Sequence, residues 1–159
     1  NPNQLVLRPD TVQHLAFSGT TKRAEGYPNS LMGVIAVIRQ TVFDARHYYA
    51  MQTWHKAHPA DARPEYNPSL EALRPVLAKI GQQRIVIESG SVLMLNRAQV
   101  LAAELGFNPI LVATGQEWRR PQLMKQIKAP FIVPVVFPAI PELPEEDDWN
   151  QVKKILEDK

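Results

Sequence analysis

"RIVIESGSVLMLNRAQVLAAELGFNPILVATG", Arg84 to Gly115, decides the fold. It opens on a run of branched apolar residues, RIVIE (84–88), which reads as a short strand. After Ser89 and Gly90 comes "SVLMLNRAQVLAAELG", a helical stretch that closes at Gly106, a glycine suited to a helix C-terminus. A second apolar run, PILVA (109–113), follows at once. Neither run alternates apolar with polar residues, which predicts strands covered on both faces. Two such strands joined by a helix form a parallel βαβ unit.

The pattern continues toward the C-terminus. "QEWRRPQLMKQIK" reads as a helix interrupted or begun by Pro121, and "FIVPVVF" (131–137) as a third strand. Pro134 predicts that this last strand is an edge or is bent there, since proline cannot donate to a ladder. Strands recurring at intervals of about 21 to 25 residues indicate successive βα units. Beyond them, "PAIPELPEEDDWNQVKKILEDK" is proline-rich and acidic, with a final helix expected from Asp147 or Asp148. Its acidic first turn and later lysine pair suit the helix dipole.

Upstream the chain is less regular. "LVLRPDTVQHLAFSGTTKRAEGYPN" reads as an irregular lead-in, with a short strand or turn near Leu5 to Leu7. "GYPNSLMGVIAVIRQ" (26–40) then brings the chain into a long helix from Ser30 to about Lys56. Leu31, Ile35, Ile38, Val42, Ala45 and Tyr49 fall along one face of it. Gly33 weakens such a helix, which suggests a close backbone approach. Ser30 can cap the helix start, or the free amides there can take an anion; the ordinary cap is the simpler reading. Pro59 and "HPADARPEYNP" end the helix. A second helix, "SLEALRPVLAKI", follows Pro68, and Pro75 predicts that it is kinked or short.

The chain thus divides into an irregular part (1–29), a helical part (30–82), a βαβαβ part (83–138) and an acidic tail with a terminal helix (139–159). The fold class is α/β, built of parallel βα units. Two architectures fit: a partial (β/α)8 barrel, whose full form needs about 250 residues, or a small open three-layer sheet. At 159 residues the chain is long enough for one domain with a real core.

Composition narrows the function. The balance of 18 Lys and Arg against 16 Asp and Glu gives a net charge of +2, with the basic residues scattered, so nucleic acid is not an expected partner. There is no cysteine, which removes disulfides, thiolate ligands and a cysteine nucleophile and leaves the compartment, extracytoplasmic or cytoplasmic, open. No apolar run is long enough for a membrane span. Nucleotide fingerprints and the nucleophile elbow are missing; "ATGQEWRR" and "ESGSV" match neither.

Candidate chemistry collects at the strand ends. Glu88 closes the first apolar strand, followed by Ser89 and Gly90, at the carboxyl end where parallel α/β folds place their active sites. Thr114 and Gly115 sit at the matching end of the next strand, followed by Glu117, Arg119 and Arg120. Glu88 and Glu117 facing one crevice would divide acid and base roles. The plainer alternative is that Glu88 accepts backbone hydrogen bonds while Glu117 and the arginines are solvated. His55 and His58, at i and i+3, share a helix face and suggest a metal pair, but a third ligand is not indicated nearby, so they read as solvated histidines.

Several blocks together, "GYPNSLMGVIAVIRQTVFDARHYY", "RPEYNPSLEALRPVL", "NRAQVLAAELGFNPILVATGQEWRR" and "FIVPVVFP", resemble in their order the middle of a metal-dependent amidohydrolase, of the imidazolonepropionase-like branch. The resemblance covers nearly the whole chain, and its first block is the most distinctive. It implies a (β/α)8 barrel with a small flanking β domain, and hydrolysis of an amide or cyclic amide C–N bond by water activated on a divalent metal, zinc above all. A bound ion lowers the pKa of water and polarises the carbonyl. The family's ligands are a His-x-His pair, further histidines on middle strands and a final aspartate. The pair and the aspartate would lie outside this chain. The middle strands depart from the pattern, with Glu88 after "RIVI" and Thr114 or Gly115 after "ILVA". Glu88 can substitute as an oxygen ligand, or mark a degenerate site.

The resemblance therefore implies an internal piece of an amidohydrolase-like parent. The parent would act on a small-molecule amide with its metal; this chain alone would hold no cofactor, be inactive and self-associate through exposed sheet edges. The catalytic candidates are Glu88, Thr114 and Glu117, and the metal candidate is Glu88. The alternative is a self-standing α/β binding or interaction domain without catalysis.

Overall fold

Four parallel strands form one sheet in the order β1-β2-β3-β4 in a computed structural model, which describes residues 11–17, 26–78 and 82–135. They are β1 (Val12–Ala16), β2 (Arg84–Glu88), β3 (Pro109–Val112) and β4 (Phe131–Ile132). Between β1 and β2 run α1 (Leu31–Ala57), α2 (Pro68–Glu71) and α3 (Arg74–Leu77). Helix α4 (Val92–Leu105) joins β2 to β3, and a 3-10 turn (Glu117–Arg119) with α5 (Pro121–Met124) joins β3 to β4. The last strand covers only Phe131–Ile132 of the run read as a strand over 131–137; it ends before Pro134, which cannot donate to a ladder. Leu5 to Leu7, Phe137 and the terminal helix lie outside the described residues.

The first strand is a correction. Val12–Ala16 lies in the stretch read as irregular, yet it pairs with all five residues of β2, from Val12 beside Arg84 to Ala16 beside Glu88. Its covered face carries a polar residue, Gln13, whose Nε2 donates to the Ala72 carbonyl at 3.3 Å. That polar residue on the inward side hides the strand from any hydrophobic pattern.

Strand order and packing choose between the two architectures. Crossovers between parallel strands are right-handed, so a sheet that always adds its next strand on the same side keeps its helices on one face. An open doubly wound sheet would instead reverse its order. Side chains alternate along a strand. On one face Leu15, Ile85, Ile87, Leu111 and Phe131 join a single core with Val34, Ile38 and Val42 of α1, Val76 of α3, and Leu95, Ala98, Leu101 and Leu105 of α4. The residues that alternate with them stay outside this core: Val12, His14, Glu88 and Ile132 are exposed, Ala16, Ile110 and Val112 are half-buried, and Val86 on the second strand is buried. The apolar strands had predicted cover on both faces. Among the described residues the helical core lies on one face; on the other Val86 is buried while Val12, His14, Glu88 and Ile132 are exposed, and the sheet is an unclosed arc.

The helices form where their caps dictate. Ser30 Oγ accepts the Gly33 N–H at 3.2 Å and starts α1, an ordinary cap. Along α1 the buried residues are Gly33, Val34, Val42, Ala45 and Tyr48, whereas Leu31 is exposed, so the inward stripe is rotated slightly from the expected one. Gly33 does permit a close approach, by its own lead-in: a Cβ there would lie 3.1 Å from the Pro28 Cβ. The Ser91 hydroxyl caps α4, and Gly106, at φ 70°, closes it in the left-handed conformation. Pro75 splits the second helix into α2 and α3 and occupies the first turn of α3.

Candidate active site at the carboxyl ends of the strands

The sheet register brings His14 and Glu88 to one place. His14 lies beside Val86, and Glu88 follows Val86 by two residues, so all three point from the uncovered face. His14 Nε2 is 3.2 Å from Glu88 Oε1, with the two side chains 54% and 53% exposed. A carboxylate against an imidazole fixes the ring's orientation and selects which nitrogen holds a proton, as a general acid or base requires. Glu88 thus has a side-chain partner, and this partner was missed because its strand was missed.

Thr114, Gly115 and Glu117 come together one strand further along. The Glu117 carboxylate folds back to accept three hydrogen bonds, from the Thr114 N–H at 2.5 Å, the Thr114 hydroxyl at 2.9 Å and the Gly115 N–H at 2.9 Å. Gly115, at φ 83°, makes the tight turn that lets both amides face one carboxylate. Glu117 therefore organises the loop after β3, while Glu88 engages His14. Arg119 is buried and its Nη1 donates to Gln116 Oε1 at 2.7 Å, which braces the same loop from within. Arg120 is half-buried and leads into α5.

The two histidines near the end of α1 do not act together. His58 stacks on Trp54, with ring centroids 3.9 Å apart, while the His55 Nδ1 is buried.

A metal centre needs more donors than the site offers. A catalytic zinc takes three protein ligands and a water. His14 and Glu88 provide one nitrogen and one oxygen donor, and among the described residues there is no group of three or more His, Cys, Asp or Glu able to hold an ion. These residues alone do not fit a complete centre. No described helix is long and apolar enough to cross a membrane.

No family model and no curated protein matches the chain. Among solved structures it is similar to an amidohydrolase from Thermotoga maritima MSB8, with a TM-score of 0.69 and 18% identity over 84% of this chain. The match covers 35% of that protein, so the chain spans about a third of its length. At this identity the likeness is one of fold: the chain folds as an arc of parallel βα units like that in the Thermotoga amidohydrolase.

Proposed function

We propose that the chain is an internal part of an amidohydrolase-like hydrolase of the imidazolonepropionase-like kind, acting on a small amide or cyclic amide with a divalent metal. One observation carries the reading: among the described residues the helical core packs on one face of the sheet, and the other face bears His14 and Glu88 near the carboxyl ends of its strands. That is the face a closing barrel turns inward, and the end at which barrels place their chemistry. The fold likeness, spread over about a third of an amidohydrolase, supports it.

In this reading the remaining metal ligands belong to flanking parts of the parent. Glu88 holds the His14 imidazole in one orientation, and His14 moves a proton to or from the reacting amide. Thr114 and Gly115, tied by Glu117, set the shape of the next strand end and hold it rigid around the substrate. The 159 residues alone would be inactive.

The test is the polypeptide in its source cells, isolated with an antibody raised against this chain. A band large enough for a barrel of about 250 residues, carrying bound divalent metal and hydrolysing cyclic amides, is the expected result. A native band of 159 residues without metal overturns the proposal and leaves the non-catalytic binding domain in its place.

A further inference from the structure

Helix α1 is too long for the sheet it covers. Its 27 residues span about 40 Å, against about 17 Å for the five-residue strands beside it. Its last buried residue is Tyr48, so its final turns project beyond the amino end of the sheet, opposite His14 and Glu88. The chain from His58 to Leu73 folds back along this overhang. The Tyr48 hydroxyl accepts the Asn67 N–H, the Tyr49 hydroxyl donates to the Leu70 carbonyl, and Arg74 lies over the Tyr49 ring.

Between the overhang and the returning loop lies a cleft with two unlike halves, parted by His55 and Pro64. One half, of about 290 Å³, is walled by Met51, Trp54 and Ala62, with His47 at its margin. The other, of about 210 Å³, is lined by Gln52, Lys56 and Arg63. The apolar wall is held in place: Trp54 Nε1 donates to Asp61 Oδ2 at 2.9 Å, and the indole stacks on His58. His55 Nδ1, where the halves meet, is buried and makes no hydrogen bond within the protein. In the cationic half, the nearby carboxylate that feels Lys56 is Glu71, which Arg74 already holds with two hydrogen bonds.

We propose that this cleft binds a small amphipathic carboxylate, its ring or branched chain against Trp54 and Met51 and its carboxylate between Lys56 and Arg63. An apolar cavity with a few convergent polar groups is the usual form of a small-molecule site. The two cations match one carboxylate. The site lies away from the strand ends and does not depend on the hydrolase reading.

The test is titration of the whole native polypeptide with phenylacetate, followed by tryptophan fluorescence and calorimetry, beside neutral phenylacetamide. Saturable phenylacetate binding is expected, with phenylacetamide about tenfold weaker, since a charge-assisted contact is lost. Arg63→Gln and Lys56→Gln, both at exposed positions, should each weaken phenylacetate about tenfold while leaving circular dichroism unchanged. Trp54→Leu should abolish the fluorescence response and weaken both ligands alike. Absence of saturable binding overturns the proposal. So does equal affinity for acid and amide, or full affinity in folded Arg63→Gln and Lys56→Gln proteins.

Discussion

At the scale of single residues, two glutamates at neighbouring strand ends have different work. Glu117 accepts three hydrogen bonds from its own loop, two of them from backbone amides. Removing the acceptor leaves those amides without their partner in a half-buried turn, so Glu117→Ala should lower stability by about 1–3 kcal/mol, measured by urea denaturation. Glu88 and His14 are half-exposed, and a pair so placed contributes about 0–1 kcal/mol. His14→Asn should therefore leave the denaturation midpoint of this chain nearly unchanged. If His14 moves a proton, the same substitution in the parent lowers kcat at least about 10²-fold; an unchanged kcat would remove it from the mechanism. Glu88 was legible because the strand that ends on it is a plain apolar run. His14 was not, because Gln13 and His14 break that signal in a strand of five residues. Glu117 was legible as a strand-end acid, but its inward fold depends on the Gly115 turn, which spacing does not reveal.

At the scale of elements, caps account for what could be read and tertiary packing for what could not. Gly106 reads from the sequence as the end of α4, and the structure keeps that role; the Ser91 cap at the helix start is added by the structure. Gly106→Ala puts a side chain in the left-handed region and should cost about 1–2 kcal/mol, whereas the added Cβ meets nothing closer than the Arg46 Nη2 at 3.8 Å. The penalty is thus conformational, and Gly106→Asn, which tolerates this region better, should recover part of it. Helix α1 is tied to α4 by Arg39, whose Nε and Nη2 donate to the Glu104 carboxylate at 2.7 and 2.6 Å. The hydrogen bond from Arg39 holds the Glu104 carboxyl below its ordinary value of 4.5. A depressed native pKa means a contribution present above the unfolded value and lost as pH falls through the lower folded one. Stability should thus decline on acidification below about pH 4.5, and Glu104→Gln should flatten that decline, followed by thermal melts across pH. The outward side of α1 was not legible as a surface feature. Met32 (83% exposed), Phe43, Met51 and Trp54 (59% exposed) make it apolar as well, so the helix is not amphipathic in the ordinary sense.

At the scale of the whole molecule, the helix-packed face of the sheet is apolar apart from Gln13, whereas the other face mixes Val12, Val86 and Ile132 with Arg84, His14 and Glu88. A short branched run such as RIVIE predicts burial on both sides, and nothing local says whether the second cover comes from this chain. Ile132 on β4 and Val12 on β1 are exposed at the two edges of the uncovered face, 47% and 41%. Apolar faces and open strand edges of this kind associate. The isolated 159-residue chain should therefore sediment as dimers or larger species at micromolar concentration. A substitution on each face separates the causes. Ile132→Lys, on the uncovered side, should shift the population toward monomer without lowering the denaturation midpoint. Leu111→Ala, on the covered side where that residue is fully buried, should cost about 2–5 kcal/mol through the cavity it leaves. In the intact parent Ile132→Lys should behave in the opposite way, because there a closing barrel would bury the lysine, and it should destabilise strongly. A parent indifferent to Ile132→Lys, together with an isolated chain that is monomeric, would mean that this face meets water in both and that the arc is not closed into a barrel.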